Sequence, residues 1–164
     1  MSGLLVADSG PLIALARLEL LRESRSCFHA LWVPEVVYVE VTRKGELADA
    51  RMLKAAAAAG VFEVIADIPT TVDAVSSYGL DPGETLAIAL ALQEHAAVLI
   101  DERKGRMASQ ALGLDVIGTL GMLALLKERG LLARIAIPVE RLMAGGYYLP
   151  EALVDQLLRR FGER

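Results

Sequence analysis

The chain has 164 residues, with 17 basic and 21 acidic side chains and a net charge of −4. That length suits one domain, spanning 1–164, which hides roughly 70% of its unfolded surface. The charge excludes a global basic field for a polyanion, so such a partner needs a local basic patch or metal ions.

Met1-Ser2-Gly3 lacks a basic segment followed by an apolar run, so no signal peptide is expected. Leu4-Leu5-Val6-Ala7 reads as a short buried strand ending at Asp8. Ser9-Gly10-Pro11 then starts a helix, because Ser caps well and Pro is tolerated in the first turn. That helix carries Leu12, Ile13, Leu15 and Ala16 and is expected to continue through Leu21. Leu31-Trp32-Val33 is a second strand closed by Pro34, which opens a helix where Val36, Val37, Val39 and Val41 surround Glu40. Gly45 breaks the chain, and Glu46 to Ala59 reads as helix ending at Gly60.

Val61 to Ala66 is a short strand, followed by a helix around Thr71 to Tyr78. Asp81-Pro82-Gly83-Glu84 begins a helix to about His95, Ala97 to Ile100 is a strand, and Asp101-Glu102 follows it. A helix from about Lys104 to Leu112 leads to the last strand, Val116-Ile117. Leu120 to Arg129 is helix, Gly145-Gly146 a turn, and Pro150 to about Phe161 the final helix. The longest apolar stretch, Val116 to Leu126, is far short of the about 20 residues that span a bilayer. No membrane association is expected, and a cytoplasmic location is the default.

Strands alternating with helices indicate an α/β fold with a central, mainly parallel sheet. The mean hydropathy of +0.44 suits a sheet buried on both faces, with an oligomer interface as a further sink for apolar surface. Cys27 is the only cysteine, which excludes a disulfide framework and a thiolate metal site. With His29 and His95 as the only histidines, a zinc centre of the N/S type is disfavoured as well.

The candidate chemistry lies in acids at strand and helix ends. Asp8 ends the first strand, and ligands of open parallel sheets bind outside carboxyl ends where strand order reverses. The alternative is that Asp8 or Ser9 merely caps the next helix. Asp101 ends another strand, beside Glu102; two neighbouring strands ending in carboxylates crowd negative charge unless a cation or proton compensates. Here the alternative is a solvated loop whose Arg103, Lys104 and Arg106 neutralise the acids. Glu84 matches the last position of a capping box, although Asp81 can cap alone and leave Glu84 free. Glu40 sits in a helix apolar almost all round, where a carboxylate is costly to desolvate. A salt bridge to Arg43 or Lys44 offsets only about 0.2–0.5 kcal/mol, which favours a functional reading. Convergent carboxylates suit a hard cation such as Mg²⁺.

These residues resemble the PIN-domain nucleases, in particular a subgroup related to VapC-type toxins. The matching segments are Val6–Leu21, Val33–Val41, Leu80–Ala91 and Leu99–Leu132, in the family's order. The tail, 134–164, is least anchored by them. The resemblance implies a three-layer α/β/α domain and a Mg²⁺- or Mn²⁺-dependent endoribonuclease site. Its acids carry onto Asp8, Glu40 and Glu84, with Asp101 as the fourth and Glu102 in reserve, because the doublet offers two matches. It also implies Ser9 beside the first acid and Thr119 lining the site. Arg43, Arg103, Lys104 and Arg106 would contact RNA phosphates, although a solvated basic face would carry the same residues. An antitoxin protein and a homodimeric partner are the expected associations. The rival reading is a catalytically inactive PIN-like interaction module. Small-molecule phosphoryl transfer is weaker: position 10 is Gly10 where a phosphatase needs a second acid, and no Gly-rich nucleotide turn follows the first strand.

Overall fold

The computed structural model describes residues 3–43 and 47–164. Met1-Ser2, the expected break at Gly45, the expected helix start at Glu46 and the expected Lys44 partner of Glu40 fall outside them.

Five parallel strands form one sheet: β1 (Leu4–Ala7), β2 (Ala30–Pro34), β3 (Glu63–Ile65), β4 (Ala97–Leu99) and β5 (Val116–Ile117). Their order is β3-β2-β1-β4-β5. The chain thus moves outward from β1 in one direction, returns, and moves outward in the other. The reversal lies between β1 and β4, whose carboxyl ends open a crevice there. In register, Val6 lies beside Val98 and Ala7 beside Leu99, so Asp8 and Asp101 leave the sheet from neighbouring strands.

Parallel strands need long crossovers, and helices supply them. The crossovers are α1 (Ser9–Arg17) with α2 (Leu21–Ser26), α3 (Glu35–Thr42) with α4 (Ala48–Ala58), α5 (Val72–Ser76) with α6 (Pro82–Glu94), and α7 (Arg103–Ala111). After β5 come α8 (Thr119–Glu128), α9 (Ala136–Ala144) and α10 (Glu151–Arg160). Side-chain alternation along β1 feeds two cores. Leu5 and Ala7 pack with Leu31, Leu99 and the apolar faces of α1, α3, α4 and α8. Val6 packs with Val98, Ile100 and the faces of α5, α6 and α7. Both faces being covered is why β1 and β4 carry apolar residues continuously. No helix among the described residues is long and apolar enough to cross a membrane.

Three segments differ from the sequence expectation. The first helix ends at Arg17 instead of continuing through Leu21. Glu19 adopts a left-handed φ of 58°, and α2 begins anew at Leu21. No glycine or proline marks that break. The expected strand Val61–Ala66 pairs only over Glu63–Ile65, because Val61 and Phe62 turn into the core first. Finally, α9 lies where no helix is expected. Its Pro138 falls in the first turn, where no intrahelical N–H is lost. Glu163, at the far end of the chain, accepts from the amides of Ile135 (2.8 Å) and Ala136 (3.0 Å) and caps this helix. With α10, α9 forms a third core against Ala14 of α1 and Leu123 of α8.

A carboxylate cluster at the sheet switch point

Asp8 follows β1 directly, and its backbone amide is held by the Leu99 carbonyl of β4 at 2.9 Å. The residue is 5% exposed, and its Oδ1 has no hydrogen-bond partner. Burial pushes its carboxyl up to about 7; the Ser9 amide opposes this, and the charges of Asp81, Glu84 and Glu40 reinforce it. An acid in this condition lacks a compensating positive charge.

Glu84 lies in the first turn of α6 and is buried. Asp81 is the N-cap and takes the Glu84 amide at 2.8 Å, so the cap is supplied without the Glu84 carboxylate. Burial, then Asp81 and Glu102, push that carboxyl up to about 7. Glu40 departs from its expected setting, because the residue is exposed. Only Val37, Val41 and Thr42 of α3 are buried, while Val39 is 48% exposed. An apolar composition therefore did not mean burial all round. Desolvation and Asp81 still raise the Glu40 carboxyl, against Arg43 and the Ser9 hydroxyl.

Gly83 shows how closely these acids approach. A Cβ there would stand 3.1 Å from Glu40 Oε2 and 3.5 Å from both Asp8 Oδ1 and Asp81 Oδ1. Carboxylate oxygens from three segments thus surround the point beside Gly83. Among the described residues, no three acids are drawn together as a ready set of metal ligands. The all-oxygen donor set and the orphaned Asp8 Oδ1 nevertheless fit a hard divalent cation.

Asp101 is bound differently. Its Oδ1 accepts the Thr119 amide at 2.7 Å, and its Oδ2 accepts the Thr119 hydroxyl at 2.5 Å and the Tyr147 hydroxyl. It therefore ties the N-terminus of α8 and the tail to the end of β4. Burial and the neighbouring Asp101 raise the Tyr147 hydroxyl above its ordinary range, so Tyr147 is a neutral donor. Gly118 makes room here: a Cβ would stand 2.5 Å from Arg106 Nη1 and 2.8 Å from Asp101 Oδ1, so one of these side chains would have to shift.

A cleft of ≈ 890 Å³ opens over these residues, lined by Asp8, Ser9, Asp81, Glu84, Asp101, Glu102, Arg103 and Arg106 among others. Arg106 also donates to the Ile100 carbonyl at 3.2 Å. Thr119 is fully buried beneath Asp101. Glu40, Arg43, Lys104 and Thr119 do not line the cleft; Glu40 stands close to Gly83, with Arg43 acting on its charge. Two residues escape a search for isolated acids. Asp81 is visible as a cap but also perturbs Asp8, Glu40 and Glu84. Tyr147 belongs to the tail, where two adjacent tyrosines after Gly145-Gly146 in an aromatic-poor chain were the available signal.

A family model for the PIN domain, DUF3368, matches residues 4–163. No curated protein matches the sequence. Among solved structures, the crystal structure of PAE2754 from Pyrobaculum aerophilum is similar at 16% identity and a TM-score of 0.50, over 70% of this chain and 83% of that one. VapBC2 from Rickettsia felis, bound to a DNA fragment from its promoter, aligns at 12% identity and a TM-score of 0.47, over 70% of this chain and 98% of that one. At such identities the likeness to PAE2754 is one of fold.

Proposed function

The chain belongs to the PIN-domain family, whose members are generally nucleases, and from that premise we propose that it is a divalent-metal-dependent endoribonuclease acting as the toxin of a toxin–antitoxin pair. The observation that carries the catalytic part is the buried Asp8 carboxylate with an unpartnered Oδ1, facing Glu84 and Asp81 at the switch point. Asp8 and Glu84 would hold a Mg²⁺ or Mn²⁺ ion, with Glu40 and Asp81 completing the negative field from the outer side. When bound, such an ion supplies Lewis acidity, lowers the pKa of water and neutralises charge on the leaving oxygen.

The remaining chemistry belongs to the chain. With their pKa values raised to about 7, the Asp8 and Glu84 carboxyls are part-protonated near neutrality, and a bound cation would favour their charged forms. Thr119 and Tyr147 fix the Asp101 carboxylate in one orientation at the edge of the cleft. Arg103 and Arg106 present cations to an RNA phosphate along the same wall. Glu102, exposed at the rim, is the second acid of the doublet and adds to the field at Glu84.

Purified protein should cleave single-stranded RNA with Mg²⁺ or Mn²⁺ and stop when a chelator is added. Full activity in Asp8→Asn would overturn the assignment. The toxin role rests on the family resemblance of the four segments. Its test is co-purification of a small partner encoded by the neighbouring gene, and the homodimer is tested by sedimentation. A second reading, an inactive interaction module, is favoured by one observation: both Asp101 oxygens already have donors. Absence of both a Mn²⁺-dependent thermal shift and RNA cleavage would establish that reading instead.

A further inference from the structure

Tyr148 is 82% exposed, yet its backbone is pinned on both sides. Tyr147 donates its hydroxyl to Asp101 and its amide to the Leu142 carbonyl at 2.9 Å. On the other side, Leu149 is buried in the core formed by α9 and α10. The ring of Tyr148 therefore stands in water on a fixed platform, not on a loose loop. Met107 of α7 is 59% exposed and Leu153 of α10 is 51% exposed, and both line the same cleft as Tyr148. Large apolar side chains left in water together in a concavity mark a binding surface.

We propose that this end of the cleft is a nucleobase subsite, in which an unpaired base of the RNA strand stacks on Tyr148 against Met107 and Leu153. This rests on the endoribonuclease reading above. Arg103 and Arg106 line the same cleft as Tyr148 and the carboxylates, so a base seated on Tyr148 would have cations for its phosphate within that cleft. Apolar surface for a base and cations for its phosphate are the pairing that binds single-stranded nucleic acid. Gln110, on the same cleft wall, offers one amide donor group and one acceptor to a base edge. A cleft of ≈ 890 Å³ is of the size that holds small ligands, and the cations beside its apolar residues favour a nucleotide as the occupant.

The test measures binding of a fluorescent single-stranded RNA hexamer by anisotropy, alongside the same hexamer made abasic, with Mg²⁺ present. Asp8→Asn protein is used to prevent cleavage, with and without Tyr148→Ala. Tyr148→Ala should weaken binding of the intact hexamer about ten-fold and leave the weaker binding of the abasic one unchanged. Tyr148→Trp should restore affinity. In the cleaving enzyme, Tyr148→Ala should raise KM with little change in kcat. Equal affinity of the Tyr148-containing protein for intact and abasic RNA would overturn the subsite while leaving the endoribonuclease reading intact. Failure to bind either RNA would overturn both. Unchanged RNA affinity with a loss of self-association in sedimentation would overturn the subsite in favour of a surface for a second copy of this chain.

Discussion

Asp8 is buried and Glu163 is half-buried, and these two acids meet opposite surroundings. Around Glu163, the amides of Ile135 and Ala136 donate directly, and Lys127 (3.9 Å) and Arg134 (3.6 Å) stand nearby. Burial alone would raise its carboxyl, but these amides and cations outweigh it and hold the group below the ordinary range. Around Asp8 the neighbours are Asp81, Glu84 and Glu40, and one oxygen has no partner. The tail satisfies its charge and fastens a helix. The switch point leaves its charge unsatisfied, an arrangement that costs stability and persists where a ligand uses it.

The largest expected effect comes from removing the unsatisfied charge. Asp8→Asn should lower RNA cleavage at least about a hundred-fold. In metal-free buffer at pH 8 it should raise stability by about 2–4 kcal/mol, as read by urea unfolding. A fall in stability would mean that Asp8 is paired in the native state, and the contrast with Glu163 would fail.

The pH dependence follows with its sign. The native Asp8 carboxyl titrates near 7, against 3.8 for its ordinary value. The native state therefore holds the extra proton between those limits, and stability falls as pH rises through that window, by about 4 kcal/mol for Asp8 alone. Glu84, also raised to about 7, adds in the same direction. Urea midpoints from pH 4.5 to 8 should decline in chelator and flatten with saturating Mn²⁺. A flat profile in chelator would remove the electrostatic argument for the cluster.

Glu163→Ala should act oppositely to Asp8→Asn, destabilising by about 0.5–2 kcal/mol through the lost helix cap and leaving the pH profile of cleavage unmoved. Differential scanning calorimetry beside a pH–rate profile reads both. The smallest effect is expected for Tyr147→Phe, which removes one of three hydrogen bonds to Asp101. It should cost about 0.5–1.5 kcal/mol and lower kcat a few-fold with KM unchanged. A KM effect instead would make Tyr147 a substrate contact.

Much of the sheet was legible because both its faces are covered: Leu4–Ala7 and Ala97–Ile100 are apolar runs bounded by acids, and each acid lies beyond a strand end. The break at Glu19 was not legible, since left-handed backbone at a glutamate leaves no mark in composition. Nor was α9, because Pro138 suggests a helix ending where it occupies a first turn, and its cap comes from Glu163 across the fold. Glu40 was identified by its apolar neighbours, but its exposure depends on which face of α3 meets the sheet.

The sequence by itself determined the alternation of strands and helices and the segments on which the acids fall. Those follow from local hydrophobic runs and turn residues, which act over a few positions. Only the tertiary structure decided that Asp8, Asp81 and Glu40 surround Gly83, that Asp101 is engaged by Thr119 and Tyr147, and that the tail completes the cleft. Those relations depend on strand order and on how the tail helices pack against α1 and α8. Both are set by burial of apolar faces between segments far apart in the chain, as Tyr147 and Asp101 are.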